Sequence, residues 1–97
     1  MKFELDPAKS EANRAKHGLD FIEEQRLWLD LDGTTIDIVE RAERREVRVA
    51  EYLSKLWTTI LVRRDGYIRI ISVRRAREKE ISRYEYVKRQ RSLDAQH

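Results

Sequence analysis

Two stretches of this chain carry side chains able to do chemistry. The first runs from Arg63 to Arg91 and reads RRDGYIRIISVRRAREKEISRYEYVKRQR. It sets Arg64, Arg69, Arg74 and Arg75 around a short apolar run, then follows them with Glu80 and Tyr84, one helical turn apart. The second is the stripe Lys9, Asn13, Lys16 at i, i+4, i+7, with His17 beside it. Ammonium and guanidinium groups bind phosphate oxygens, and the planar fork of arginine donates two hydrogen bonds at once. Imidazole exchanges a proton near neutral pH. Formal charge is uneven as well: residues 63–97 carry +6 and residues 1–62 carry −3, within a total of +3. A basic corner on a near-neutral body points to a polyanion site. The plainer alternative stays open: a solvated cationic face, a His17 that caps helix carbonyls, and an Arg69 paired with a helix carboxylate.

Composition narrows the chemistry. At 97 residues the chain has room for a single domain, 1–97. Forty per cent is hydrophobic, enough for one small core, and periodic apolar segments argue against disorder despite 40% charge. There is no cysteine, hence no disulfide, thiol nucleophile or cysteine-based metal site, and only two histidines. Neither a metal nor a cofactor is expected. No apolar run approaches the roughly 20 residues that span a bilayer, and MKFELDPAKS has no apolar signal core. A cytoplasmic protein with no membrane partner is expected.

The elements that must position these residues follow from local signals. Lys2 to Leu5 predicts a short strand. Asp6-Pro7 starts a helix, with Asp at the cap and Pro at its first position, that runs from Ala8 to His17 and stops at Gly18. Ala8, Ala12 and Ala15 are its expected packing stripe. Asp20 and Glu23 form a capping box for a second helix to about Trp28 or Leu29, burying Phe21, Ile22, Trp28 and Leu29. Strands are predicted over Thr34–Val39, Glu46–Leu53, Trp57–Arg64 and, after the Asp65-Gly66 turn, Tyr67–Val73. A last helix spans Ala76 to Arg91, packed through Ala76, Ile81, Tyr84 and Val87, and 92–97 is a frayed tail. The fold class is α+β: a short N-terminal strand, two helices, a four-strand antiparallel meander and a C-terminal helix, with the helices on one face of the sheet.

Two motifs then stand together. One is Asp6-Pro7-x-Lys9-x-x-x-Asn13-x-x-Lys16-His17-Gly18-Leu19-x-Phe21; the other is Ile68-Arg69-Ile70-Ile71-Ser72-x-Arg74-Arg75-Ala76-x-x-x-Glu80-x-x-x-Tyr84. In this order, over nearly the whole chain, they closely resemble the BrnT family of toxins from bacterial type II toxin–antitoxin systems. The resemblance implies a RelE-like fold and a ribonuclease that shuts down translation. It also implies neutralisation by a BrnA-type ribbon-helix-helix antitoxin, through which alone operator DNA is contacted. The chain departs from the family at Leu5, often Trp there, and at Leu61 and Val62, where a polar or aromatic residue and a Thr are frequent.

A metal-independent endoribonuclease needs a base for the ribose 2′-OH, cations for the developing phosphate charge and an acid for the leaving 5′-oxygen. The expected assignment places the scissile phosphate on Arg69 and Arg74, with His17 and Glu80 as acid–base pair. Glu80 has the alternative role of fixing an arginine's direction. Lys9, Asn13, Lys16, Arg64, Arg75 and Tyr84 are the expected RNA contacts, with Tyr67 a further stacking surface. The competing function is a basic module that binds RNA or DNA, or only its antitoxin, without cutting.

Overall fold

The computed structural model describes residues 2–40 and 43–95. Strand β1 (Lys2–Glu4) leads to helix α1 (Pro7–His17), then to a single helical turn, α2 (Phe21–Glu24), which tightens into a 3₁₀ segment over Gln25–Leu29. Four strands follow, β2 (Thr34–Glu40), β3 (Glu43–Tyr52), β4 (Lys55–Arg64) and β5 (Tyr67–Arg75), before helix α3 (Glu78–Asp94). The five strands make one sheet in the order β1-β5-β4-β3-β2.

Local chemistry explains the boundaries. Asp6 caps α1, its Oδ1 accepting the amides of Ala8 at 2.9 Å and Lys9 at 3.3 Å. Gly18 ends the helix at φ 89°, a left-handed position that glycine takes without steric cost. Asp20 caps α2 in the same way, accepting from Ile22 and Glu23. The β4–β5 turn has positive φ at Asp65 (48°) and Gly66 (83°), the conformation whose twist suits a two-residue hairpin.

Several expectations need correcting. The sheet is mixed rather than a purely antiparallel meander, because β1 runs parallel to β5, Phe3 beside Ile68. The helices do not share one face. Thr58 and Thr59 are consecutive and fully buried, so their side chains point to opposite sides. Thr58 donates to Glu80 of α3 and Thr59 to Glu24 of α2. The alanines of α1 are exposed; the helix buries Ser10 and Asn13 instead. Ile22 and Leu29 are 65% and 78% exposed, and Phe21 and Leu27 take the buried positions of this segment. Helix α3 extends through Ser92–Asp94, and Gln96 and His97 lie outside the described residues, as does the β2–β3 link at 41–42.

The core lies on the α2 side of the sheet, where Leu19, Phe21 and Leu27 meet Ala50, Trp57, Leu61, Ile68, Ile70 and Val73. A buried polar group borders it. Glu24 accepts from Trp28 Nε1 at 2.8 Å and Thr59 Oγ1 at 2.9 Å, and burial pushes its carboxyl up to about 7 against the pull of those two bonds and of Arg48. Arg48 stacks 4.5 Å from the Trp28 ring and crosses so close to Gly33 that a Cβ there would overlap its guanidinium.

Candidate active site

Strand β5 carries the chain's central cations. Arg64, Val62, Ile60 and Thr58 are alternate residues of β4 and therefore share a face. Their partners on β5 are Tyr67, Arg69, Ser72 and Arg74, so these four form one row. Arg69 and Arg74 are five apart and would point to opposite faces of a regular strand. An irregularity between Ile60 and Leu61 prevents this: their partners are Ser72 and Ile70, which leaves Ile71 as an extra residue. The bulge returns Arg74 to the side of Arg69, about 13 Å along the strand, with Ser72 between them.

Helix α1 is fastened to the same strand. Beyond Arg69, β5 has no further partner in β1, so its outer edge would leave backbone groups unpaired. Asn13 fills the gap. Its Nδ2 donates to the carbonyl of Val73 at 2.7 Å and to that of Leu19 at 2.7 Å, while its Oδ1 accepts the amide of Val73 at 3.2 Å. Ser10, one turn earlier, accepts the amide of Phe21 at 2.9 Å. The neighbours of Asn13 on the helix, Lys9, Lys16 and His17, line a cavity of about 260 Å³ with Ile71 and Ser72. Lys9 and Lys16 are exposed and His17 is half-buried. Among the described residues, no carboxylate pairs with either lysine and no hydrogen bond engages the imidazole. Ser72 belongs both to this cavity and to the arginine row, and it joins them.

The strand arginines differ in their surroundings. Arg74 grips Glu80 through two bonds, Nη1 to Oε1 at 2.8 Å and Nη2 to Oε2 at 2.9 Å. Glu80 also accepts from Thr58 Oγ1 at 2.9 Å and from the amide of Arg77 at 2.7 Å, closing the first turn of α3. The Arg74 bond foremost, then those from Arg77 and Thr58, holds the Glu80 carboxyl down at about 2 although burial opposes it. Glu80 is thus ionised at neutral pH. It has no proton to give and is a feeble base, so of its two expected roles only the orienting one fits. Nor does it line the cavity of His17; the expected acid–base pair is not assembled there. Arg69 makes one bond, to Glu4 Oε1 at 2.6 Å, with both side chains part-exposed at 32% and 48%. Such open pairs contribute little and exchange readily for another anion.

The remaining expected contacts divide. Arg64 stands opposite Tyr67 at the end of the row, with an exposed bond to Glu43 at 3.2 Å. Arg75 leaves the row, its partner being Trp57 of the core face, and its guanidinium lies 5.5 Å from the centre of that ring. Tyr84 is 3% exposed and donates its hydroxyl to Asp30 at 2.7 Å, so it cannot stack on a base; burial and that carboxylate raise its phenol well above the usual range. Asn13 is likewise buried and committed to backbone rather than presented to solvent. Leu61 sits in the core and Val62 is buried beside Arg69 on the neighbouring strand, so the apolar departures at these positions serve packing. Sequence reading missed Ser72 and Thr58 as members of the site. The signal for Ser72 was a lone hydroxyl in an otherwise apolar strand between two arginines.

A family model described as the ribonuclease toxin, BrnT, of type II toxin–antitoxin systems matches residues 5–80. That span covers α1, the cavity, the β5 row and Glu80, and leaves most of α3 beyond it. No curated protein matches the chain.

Proposed function

We propose, for a chain that belongs to the BrnT ribonuclease toxins of type II toxin–antitoxin systems, that the β5 row and the α1 cavity are one endoribonuclease site working without a metal. The observation that carries this reading is the placement of Ser72, which lines the cavity of Lys9, Lys16 and His17 and stands between Arg69 and Arg74. In this reading His17 takes the proton from the ribose 2′-OH. The 2′-oxygen then bonds to phosphorus, and the bond to the 5′-oxygen breaks. The leaving oxygen draws its proton from water in the open cavity, because Glu80 has none to offer. Lys9, Lys16 and Arg69 face the charge that develops on the phosphate, the kind of fixed electrostatic help that is often the largest catalytic term. Arg74, held by Glu80, offers its Nε and its second Nη2 hydrogen. Among the described residues, no three His, Cys, Asp or Glu side chains gather as ligands.

The test is to incubate purified, antitoxin-free protein with RNA in EDTA and analyse the ends. The expected products carry 2′,3′-cyclic phosphate and 5′-hydroxyl termini, and an Arg69→Ala variant does not form them. Intact RNA after prolonged incubation with the wild type would contradict the reading. One observation favours the second reading, a basic module that binds RNA, DNA or only its antitoxin: both row arginines already hold a carboxylate. The same assay decides between them, since that module would bind without producing fragments.

The partner we propose is a BrnA-type ribbon-helix-helix antitoxin that contacts operator DNA itself, so that the toxin meets DNA only through it. An acidic antitoxin segment laid on the cationic row would block RNA by charge complementarity, in a salt-sensitive way. The chain would act as a single RelE-like toxin domain in the cytoplasm. No helix among the described residues is long and apolar enough to cross a membrane.

A further inference from the structure

The β5 row extends one step beyond Arg69. Tyr67 shares its face, lies about 7 Å further along the strand, and is 41% exposed. On the β1 side the ring is met by Lys2, whose ammonium stands 5.7 Å from the ring centre. The hairpin turn borders an open cavity of about 360 Å³ lined by Arg63, Arg64, Asp65, Gly66, Tyr67 and Ile68. That volume lies within the range of small-molecule sites. Arg64 is tied there only by its exposed bond to Glu43.

We propose that Tyr67 and the hairpin cavity form a nucleobase subsite, in which the base beside the phosphate held at Arg69 stacks on the phenol ring. The inference rests on the reading of the β5 row as an RNA site. An exposed ring in line with phosphate-binding cations is the arrangement that single-strand binders use, with cations tracking the backbone and aromatics taking the bases. Every base has a π-face, so the subsite adds affinity without selecting a sequence. Arg64 supplies a planar cation to the cavity lining, and Lys2 places a positive charge near the ring.

The test uses a short 2′-O-methylated oligoribonucleotide, which lacks the attacking hydroxyl and stays intact, together with an abasic version of it. Their affinities are measured at several salt concentrations for the wild type, Tyr67→Phe and Tyr67→Val. Valine keeps the strand preference of the position while removing the ring. Tyr67→Val should bind the base-containing probe about 5- to 100-fold more weakly, with an unchanged slope against log salt, because no phosphate contact is lost. Tyr67→Phe should match the wild type. On the abasic probe Tyr67→Val and wild type should be equal. Equal binding of the base-containing probe by Tyr67→Val and wild type, or an equal loss on both probes, would overturn the subsite. If the wild type bound neither probe in a salt-dependent way, the RNA reading itself would fall, and the subsite with it.

Discussion

Asn13 and Val73 meet as two strands would: the Asn13 carboxamide donates to the Val73 carbonyl and accepts from the Val73 amide, at 2.7 and 3.2 Å. One side chain thereby completes the edge of β5 where β1 has ended. It also fixes α1 so that Lys9, Lys16 and His17 lie over Ser72.

Removing that side chain leaves the Val73 amide, the Val73 carbonyl and the Leu19 carbonyl without partners in a buried place. Each such group costs about 1–3 kcal/mol, and water entering the gap recovers part of it. Asn13→Ala should therefore lower stability in urea by about 2–4 kcal/mol with an unchanged denaturant slope. A loss within about 0.5 kcal/mol, the range of ordinary surface substitutions, would show that α1 is held by something else.

Arg69 and Arg74 should separate in their effects. Arg69→Ala breaks an open, single-bond pair, so stability should change by no more than about 1 kcal/mol. RNA cleavage should nevertheless fall by about 10²–10³-fold, the size seen when one fixed transition-state donor is removed. Arg74→Ala also strips Glu80 of its main partner and should cost about 1–3 kcal/mol of stability in addition. Thermal melting and cleavage rates measured side by side check both; equal stability losses would contradict the different surroundings of the two guanidiniums.

Glu80 and Glu24 give opposite pH signatures. Glu80 titrates near 2 in the folded protein against an ordinary 4.5, so its contribution is complete above about pH 4.5 and is lost as pH falls toward 2. Allowing for solvent screening of the pair, that contribution is about 1–2 kcal/mol. Glu24 is pushed the other way, to about 7, so the folded protein holds its proton more tightly than the unfolded chain. Stability therefore falls as pH rises from about 4.5 to about 7, by about 2–3 kcal/mol. Urea unfolding across pH, wild type minus Glu80→Gln and wild type minus Glu24→Gln, isolates each term. A Glu24→Gln variant that keeps the decline between pH 4.5 and 7 would show that this carboxyl is not its source.

Much of the fold was readable because its signals are local. Asp6, Gly18 and Asp20 cap what they were expected to cap, and Asp65-Gly66 makes the β4–β5 turn. The parallel pairing of β1 was not readable, since three residues carry no sign of their partner. Neither was the bulge at Ile71, which depends on how β5 meets β4 rather than on residue type. That one inserted residue decides whether Arg69 and Arg74 share a face. Asn13 misled for a related reason: at helical spacing from two lysines it reads as part of a polar surface, and only the unpaired edge of β5 makes it a structural pin. The cationic side chains were legible by type and spacing, whereas the two bonds by which Glu80 holds Arg74 depend on how α3 packs against β5.

The most direct test of a shared site for His17 and Arg69 is a double-mutant cycle on single-turnover RNA cleavage, using wild type, His17→Ala, Arg69→Ala and the double variant. If both side chains act on one phosphate, each single change should slow cleavage by about 10²-fold or more. The double variant should then be little slower than the worse single one, as expected for groups that work as a unit. A His17→Ala protein that cleaves at the wild-type rate, or two losses that simply multiply, would contradict it.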